Sequence, residues 1–128
     1  MKKILSLLLL ALPFLGACQQ KAQSFKTLSV DDFAEVIADP AVQRLDVRTP
    51  AEYTEGHLPG SLNVNVLDPQ FLQMADSLLQ KDRPVALYCR SGRRSKKAAD
   101  LLSKAGYQVY ELATGFQGWQ QARQEIEK

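Results

Sequence analysis

The amino-acid sequence predicts an α/β domain of three layers, with helices on both faces of a mostly parallel central sheet. Two observations carry this. Short alternating or apolar runs take turns with helix-period runs, and the turns between them are brief, which is the pattern of repeated βαβ units. The apolar run Val85-Ala86-Leu87-Tyr88 reads as a strand buried on both faces and therefore central. At 128 residues there is room for one domain with a hydrophobic core. A composition 45% hydrophobic and 23% charged excludes a disordered or fibrous chain.

The elements follow in order. Phe25 to Leu28 forms a brief first strand. Ser29 is the N-cap of a helix with Asp31 and Asp32 in its first turn. Its apolar face (Val30, Phe33, Ala34, Ile37) stops at Asp39-Pro40. Val42 to Val47 alternates as a strand. In Thr49-Pro50-Ala51-Glu52 a cap, a first-position proline and a capping-box glutamate coincide, and Gly56 ends that short helix. Ser61 to Val66 reads as a second alternating strand. Asp68-Pro69 opens a helix whose buried side is Phe71, Leu72, Ala75, Leu78 and Leu79. After the central strand comes Cys89-Arg90-Ser91-Gly92-Arg93-Arg94-Ser95, then a helix with Ala98, Leu101, Leu102 and Ala105 on one face and Gly106 as its cap. Gln108 to Leu112 is the last strand. Gly115 leads into a helix expected from Phe116 to Glu127, which packs Phe116 and Trp119 on the sheet.

The cysteine stretch is where chemistry concentrates. It lies between a strand and a helix, at the C-terminal edge of the sheet, where ligands of open α/β sheets bind. Free N–H groups and the positive end of the helix point at Cys89, and both lower a thiol's pKa. Arg90, Arg93, Arg94, Lys96 and Lys97 crowd the same stretch. Cations at the start of a helix oppose its dipole unless an anion is held there. Gly92 is free to take a positive φ, which gathers successive N–H groups into a nest. The plain alternatives are a small core cysteine and a solvated basic face. Perturbed groups cluster at sites, and the combination favours a nucleophile in an anion-binding socket.

The amino terminus reads separately. Met1-Lys2-Lys3 is a basic n-region and Ile4 to Leu15 a leucine-rich h-region, the layout of an export signal and too short for a membrane span. Leu15-Gly16-Ala17-Cys18 resembles the lipobox of bacterial lipoproteins. The resemblance implies removal of residues 1–17, lipid modification of Cys18 and a tether over 18–25, with the folded domain over 26–128. The expected location is the bacterial cell envelope, and the outer membrane facing the periplasm in a Gram-negative host. A lipidated Cys18 cannot pair, which leaves Cys89 as the free thiol. Without Lys2 and Lys3 the chain carries 14 basic and 14 acidic residues, so no global field suggests nucleic acid.

Four stretches, in order, resemble the rhodanese (sulfurtransferase) domain: Leu45-Asp46-Val47-Arg48-Thr49-Pro50-Ala51-Glu52-Tyr53, Gly56-His57-Leu58-Pro59-Gly60-Ser61, the Cys89–Ser95 loop, and Gly115-Phe116-Gln117-Gly118-Trp119. One departure is Thr114, where the family often has the first of two glycines; it is expected to alter a turn and not the chemistry. The resemblance implies that Cys89 is the catalytic residue and takes a sulfane sulfur as a persulfide. Backbone N–H groups from Arg90 through Ser91, Gly92, Arg93 and Arg94 to Ser95 then cradle the anion, and the arginines orient an anionic sulfur donor. A thiol or cyanide is the acceptor. No cofactor is required, and one histidine without a cysteine cluster gives no metal site. The partners expected are the small donor and acceptor and, through the lipid, a membrane; the protein is expected to be a monomer. His57 is expected to hold its turn, and Asp46 with Arg48 either shapes the site or forms a structural ion pair. Two other functions stay open: a non-catalytic or sulfur-carrier module, and a phosphatase or arsenate reductase. Against the second, four residues separate Cys89 from Arg94 where related phosphatases carry five, a smaller ring suited to one sulfur atom.

Overall fold

A computed structural model describes residues 25–128; the signal, the Cys18 site and most of the tether lie outside the described residues. The elements are β1 (Phe25–Leu28), α1 (Val30–Ile37), β2 (Gln43–Asp46), α2 (Pro50–Glu55), β3 (Leu62–Asn63), α3 (Phe71–Leu78), β4 (Val85–Tyr88), α4 (Arg94–Lys104), β5 (Val109–Leu112) and α5 (Gly115–Gln121). β1 starts at Phe25, one residue before the expected domain boundary. The strands form one sheet in the order β1-β5-β4-β2-β3, and every pairing is parallel. β4 is central and buried along its whole length.

Alternation along the strands divides the core in two. Leu45, Val85, Leu87 and Val109 face a cluster with Phe71 and Ala75 of α3 and Ala98 and Leu102 of α4. Ala86, Tyr88 and Leu112 face the other side, with Phe33 and Ile37 of α1 and Phe116 and Trp119 of α5. The local signals hold at two helix starts. Ser29 Oγ accepts from Asp32 N–H at 3.2 Å, and Thr49 and Glu52 close both arms of a capping box.

Three expectations need correction. The strand expected over 61–66 forms ladder only at Leu62–Asn63. The Asn63 side chain then donates to the carbonyls of Asp46 and Arg48 at 3.0 and 2.9 Å, taking up carbonyls at the end of β2. In α3, Leu72 and Leu78 are exposed. β3 is the sheet edge and only two residues long, so nothing beyond it covers Leu78. The last helix stops at Gln121. Arg123 turns the chain at φ 60°, the Trp119 indole donates to the Glu125 carbonyl at 2.8 Å, and Glu127 pairs with His57 through two backbone hydrogen bonds of 2.8 and 2.9 Å. Tertiary contacts there override good helix propensity.

Candidate active site

The chain runs from β4 through α4 to β5 on one side, and from β2 through α2 to β3 on the other. β4 and β2 are neighbours whose connections leave in opposite directions, so the crevice at their C-terminal ends is the switch point of the sheet. Cys89 follows β4 at that edge, and Val47 and Arg48 follow β2.

Cys89 is 1% exposed, while Arg90 and Ser91 beside it are exposed. Its Sγ accepts the Gly92 N–H at 3.1 Å. Gly92 has φ 105°, and a Cβ there would collide with the Ala113 carbonyl oxygen, so both backbone and space require glycine. Arg93 stands at the N-cap of α4 without a side-chain cap, which leaves the first-turn N–H groups directed at the loop. Burial pushes the Cys89 thiol up. The Ser95 hydroxyl and the N–H groups of Ser95, Gly92 and Ser91 outweigh it, and the thiol lies below its ordinary value. Only Gly92 makes an aligned hydrogen bond; the other donors act at longer range.

α5 fixes the loop from outside. Phe116 N–H donates to the Cys89 carbonyl at 2.8 Å and Gln117 N–H to the Arg90 carbonyl at 3.0 Å. Gly115 makes this approach possible: at φ 62°, a Cβ on it would strike the carbonyls of Arg90 and Cys89. Thr114 sits at φ −99°, ordinary backbone for any residue, so its presence in place of glycine leaves the turn intact.

On the β2 side, Asp46 and Arg48 form a buried ion pair at 2.6 Å. Arg48 also donates to the Gly56 carbonyl at 2.6 Å, and the Tyr88 hydroxyl donates to Asp46 at 2.7 Å. Burial and the neighbouring Asp46 charge raise the Tyr88 phenol well above its ordinary value, so it stays a neutral donor. The Arg48 guanidinium lies 4.2 Å from the Phe116 ring centroid. The pair is therefore the structural ion pair of the two alternatives, and Arg48 also lines a cleft of about 330 Å³ with Glu52, Glu55, Arg90, Phe116, Gln117 and Gln120.

The arginines separate. Arg90 lines this cleft. Arg93 is exposed. Arg94 is bound to Glu52 through two hydrogen bonds of 2.8 and 3.0 Å. That partner holds the Glu52 carboxyl down to about 2. His57 is a turn residue: Nδ1 donates to the Tyr53 carbonyl at 2.8 Å, Nε2 lies 3.3 Å from the Glu127 carboxylate, and the ring stacks on Tyr53 at 3.7 Å. Both nitrogens are occupied. Glu52, Glu55 and Phe116 line the cleft beyond the site residues expected from sequence, and Gln117, Gln120 and Glu111 carry no sign of a site role there. Gln117 and Gln120 lie on an amphipathic helix without a chemical signal. Glu111 is wholly buried against the start of α4, bonded to Ser95 and Lys96, and nothing in Val109-Tyr110-Glu111-Leu112 announces that.

Comparison with known proteins agrees with this geometry. Residues 29–122 match the family model of the rhodanese-like domain. The thiosulfate sulfurtransferase GlpE of Shewanella oneidensis is 35% identical over 101 residues, covering 77% of this chain and 96% of that protein. A sulfurtransferase of Allochromatium vinosum is 40% identical over 76 residues, 59% of this chain and 68% of the other. Among solved structures, a rhodanese-related protein from Thermoplasma volcanium superposes with a TM-score of 0.71 at 27% identity, over 80% of this chain and 98% of that one.

Proposed function

This chain belongs to the rhodanese family, and from that membership we propose that it moves a sulfane sulfur from thiosulfate or a related anionic donor to a thiol or cyanide, through a persulfide on Cys89. The observation that carries the proposal is the placement of Cys89: the one thiol among the described residues, buried among backbone donors at the sheet's switch point, with its pKa lowered.

The Cys89 thiolate attacks the outer sulfur of thiosulfate. A Cys89 Sγ–S bond forms, the sulfur–sulfur bond of the donor breaks, and sulfite leaves with its electron pair. The charge now rests on the outer sulfur. The acceptor, as thiolate or cyanide, attacks that sulfur, and Cys89 leaves as thiolate. Each step is a displacement with one sulfur transferred and no outside oxidant, so the reaction alternates between two enzyme forms. N–H groups from the loop and the first turn of α4 stabilise the charge without reorganising. Arg90, at the cleft, attracts the dianionic donor; Arg94, held by Glu52, supports the loop and its positive field. Sulfite release in a burst from thiosulfate alone, and parallel lines when thiosulfate is varied at several cyanide concentrations, test the scheme. Intersecting lines would refute the two-form cycle.

The amino-terminal reading completes the proposal: a protein exported, lipidated at Cys18 and held at the cell envelope, acting on small diffusible partners as a monomer. Labelling with a fatty-acid alkyne, abolished by Cys18→Ser, is the expected result; labelling that survives the substitution contradicts it.

A further inference from the structure

The strands of the parallel sheet all start at one edge, and Cys89 lies at the other. The starting edge carries a second cavity, about 340 Å³, between the end of α1, the starts of β2 and β3, and the turn from α3 into β4. Arg44 and Arg83 both line it. Arg44 donates to the carbonyls of Pro59 at 2.6 Å and Ile37 at 2.9 Å. Arg83 donates to those of Ala41 at 2.8 Å and Pro40 at 3.3 Å. Backbone carbonyls thus hold both guanidiniums in place without neutralising them, and each keeps N–H groups to spare. Among the described residues, neither is paired with a carboxylate. Asp39 also lines the cavity, and one of its oxygens accepts the Ala41 N–H at 2.9 Å. Leu62 and Leu78 stand on the same rim, 42% and 54% exposed.

Fixed guanidiniums beside exposed leucines suit an anionic bilayer, with phosphates at the level of the arginines and acyl chains beneath the leucines. The course of the chain argues for that occupant. β1 begins at Phe25 on this edge, and residues 18–24 reach at most about 25 Å from it. β5 and β4 separate β1 from β2, about 14 Å at ordinary strand spacing. A lipid on Cys18 therefore leaves the cavity within reach of the membrane surface that holds the anchor. A free phosphate would account for the arginines and leave the leucines unexplained.

We propose that this edge is a membrane-docking face. The phosphate of an anionic phospholipid headgroup enters the cavity between Arg44 and Arg83, and Leu62 and Leu78 dip into the bilayer. The proposal rests on the anchoring at Cys18 proposed above and not on the sulfur chemistry. Docked this way, the domain holds the Cys89 edge away from the bilayer, open to small diffusible reactants.

Leu78→Trp places an indole on the rim. The full chain carrying it, exported and processed by a bacterial host, is reconstituted in vesicles of phospholipids with brominated acyl chains, which quench an indole in contact with them. Wild type supplies the baseline from Trp119, 3% exposed. The introduced indole is expected to be quenched in equimolar phosphatidylglycerol and phosphatidylcholine, and much less in phosphatidylcholine alone. Arg83→Gln is expected to lower the ratio of docked to undocked chain about fivefold, the effect of one basic residue at an anionic surface, and Arg83→Lys to restore most of it. Leu62→Trp, on the same rim, keeps the test open should Leu78→Trp fail to fold. An unquenched indole on vesicle-bound chain overturns the proposal, as does quenching that is equal in phosphatidylcholine alone or unaltered by Arg83→Gln. Saturable binding of inorganic phosphate in detergent, lost in Arg83→Gln and joined to an unquenched indole, would mark a site for a soluble anion and overturn it too. Chain that does not float with the vesicles defeats the anchoring and this proposal together, whereas floating chain with an unquenched indole defeats the docking alone.

Discussion

Truncating Arg48 probes the wall beside the cysteine loop. Arg48→Ala removes the Nε and Nη2 donations to Asp46 and the Nη2 donation to the Gly56 carbonyl. Asp46, 0% exposed, is left with the Tyr88 hydroxyl and the backbone N–H of residue 48 as donors. Stranding one partner of a buried pair costs about 3–5 kcal/mol. That is a large share of the roughly 5–15 kcal/mol by which a domain is stable. Urea unfolding followed by Trp119, the single tryptophan and 3% exposed, measures it. Asp46→Asn should also be costly, and the Arg48→Ala/Asp46→Asn double variant should cost about 1–3 kcal/mol less than the sum, because no charge is stranded. A loss below about 1 kcal/mol for Arg48→Ala, the value of an exposed pair, or strict additivity in the cycle, would mean that Arg48 and Asp46 are not a coupled buried pair.

Gly92→Ala places a Cβ against the Ala113 carbonyl at φ 105° and displaces the N–H that Sγ accepts; losing a hydrogen bond to a charged group, about 1.5–3 kcal/mol, should raise the alkylation midpoint of Cys89 by about 1–2 pH units. Glu52 titrates at about 2 in the fold against 4.5 ordinarily. Its lowered value stabilises the fold above pH 4.5, and the gain is lost as pH falls from 4.5 toward 2, so stability in Glu52→Gln should fall less steeply over that window, by urea midpoints taken at each pH. Phe33→Ala empties a 0%-exposed position in the cluster on the face away from Cys89, edge-on to Trp119 at 6.2 Å; it should cost about 3–5 kcal/mol and leave the Cys89 alkylation midpoint unchanged.

How far the sequence carries can be seen residue by residue. Ser29, and Thr49 with Glu52, are local devices, and their bonds form where spacing places them. The strand–loop–helix order around Cys89 is local too, and it puts the thiol at the sheet edge before any tertiary contact is known. Glu111 is the reverse case. Its charge assigns a strand glutamate to solvent, but β5 lies inside a sheet covered on both faces, and its partners Ser95 and Lys96 come from the preceding helix. Leu78 fails for the complementary reason: helical period points it inward, and the sheet ends before it is covered. The helix expected through Glu127 yields at Gln121 to Trp119 and His57, contacts that no local pattern encodes. Arg94 reads as a substrate ligand by proximity to Cys89, while its mate Glu52 is 42 residues away.

The proposed sulfur relay runs through one atom, Cys89 Sγ. Intact-protein mass spectrometry on the chain beginning after Cys18, treated with thiosulfate and then with cyanide beside a Cys89→Ser control, addresses it directly. The expected result is a gain of one sulfur atom on the wild type alone, removed again by cyanide. No gain across a panel of sulfur donors, or a gain that persists in Cys89→Ser, would contradict it.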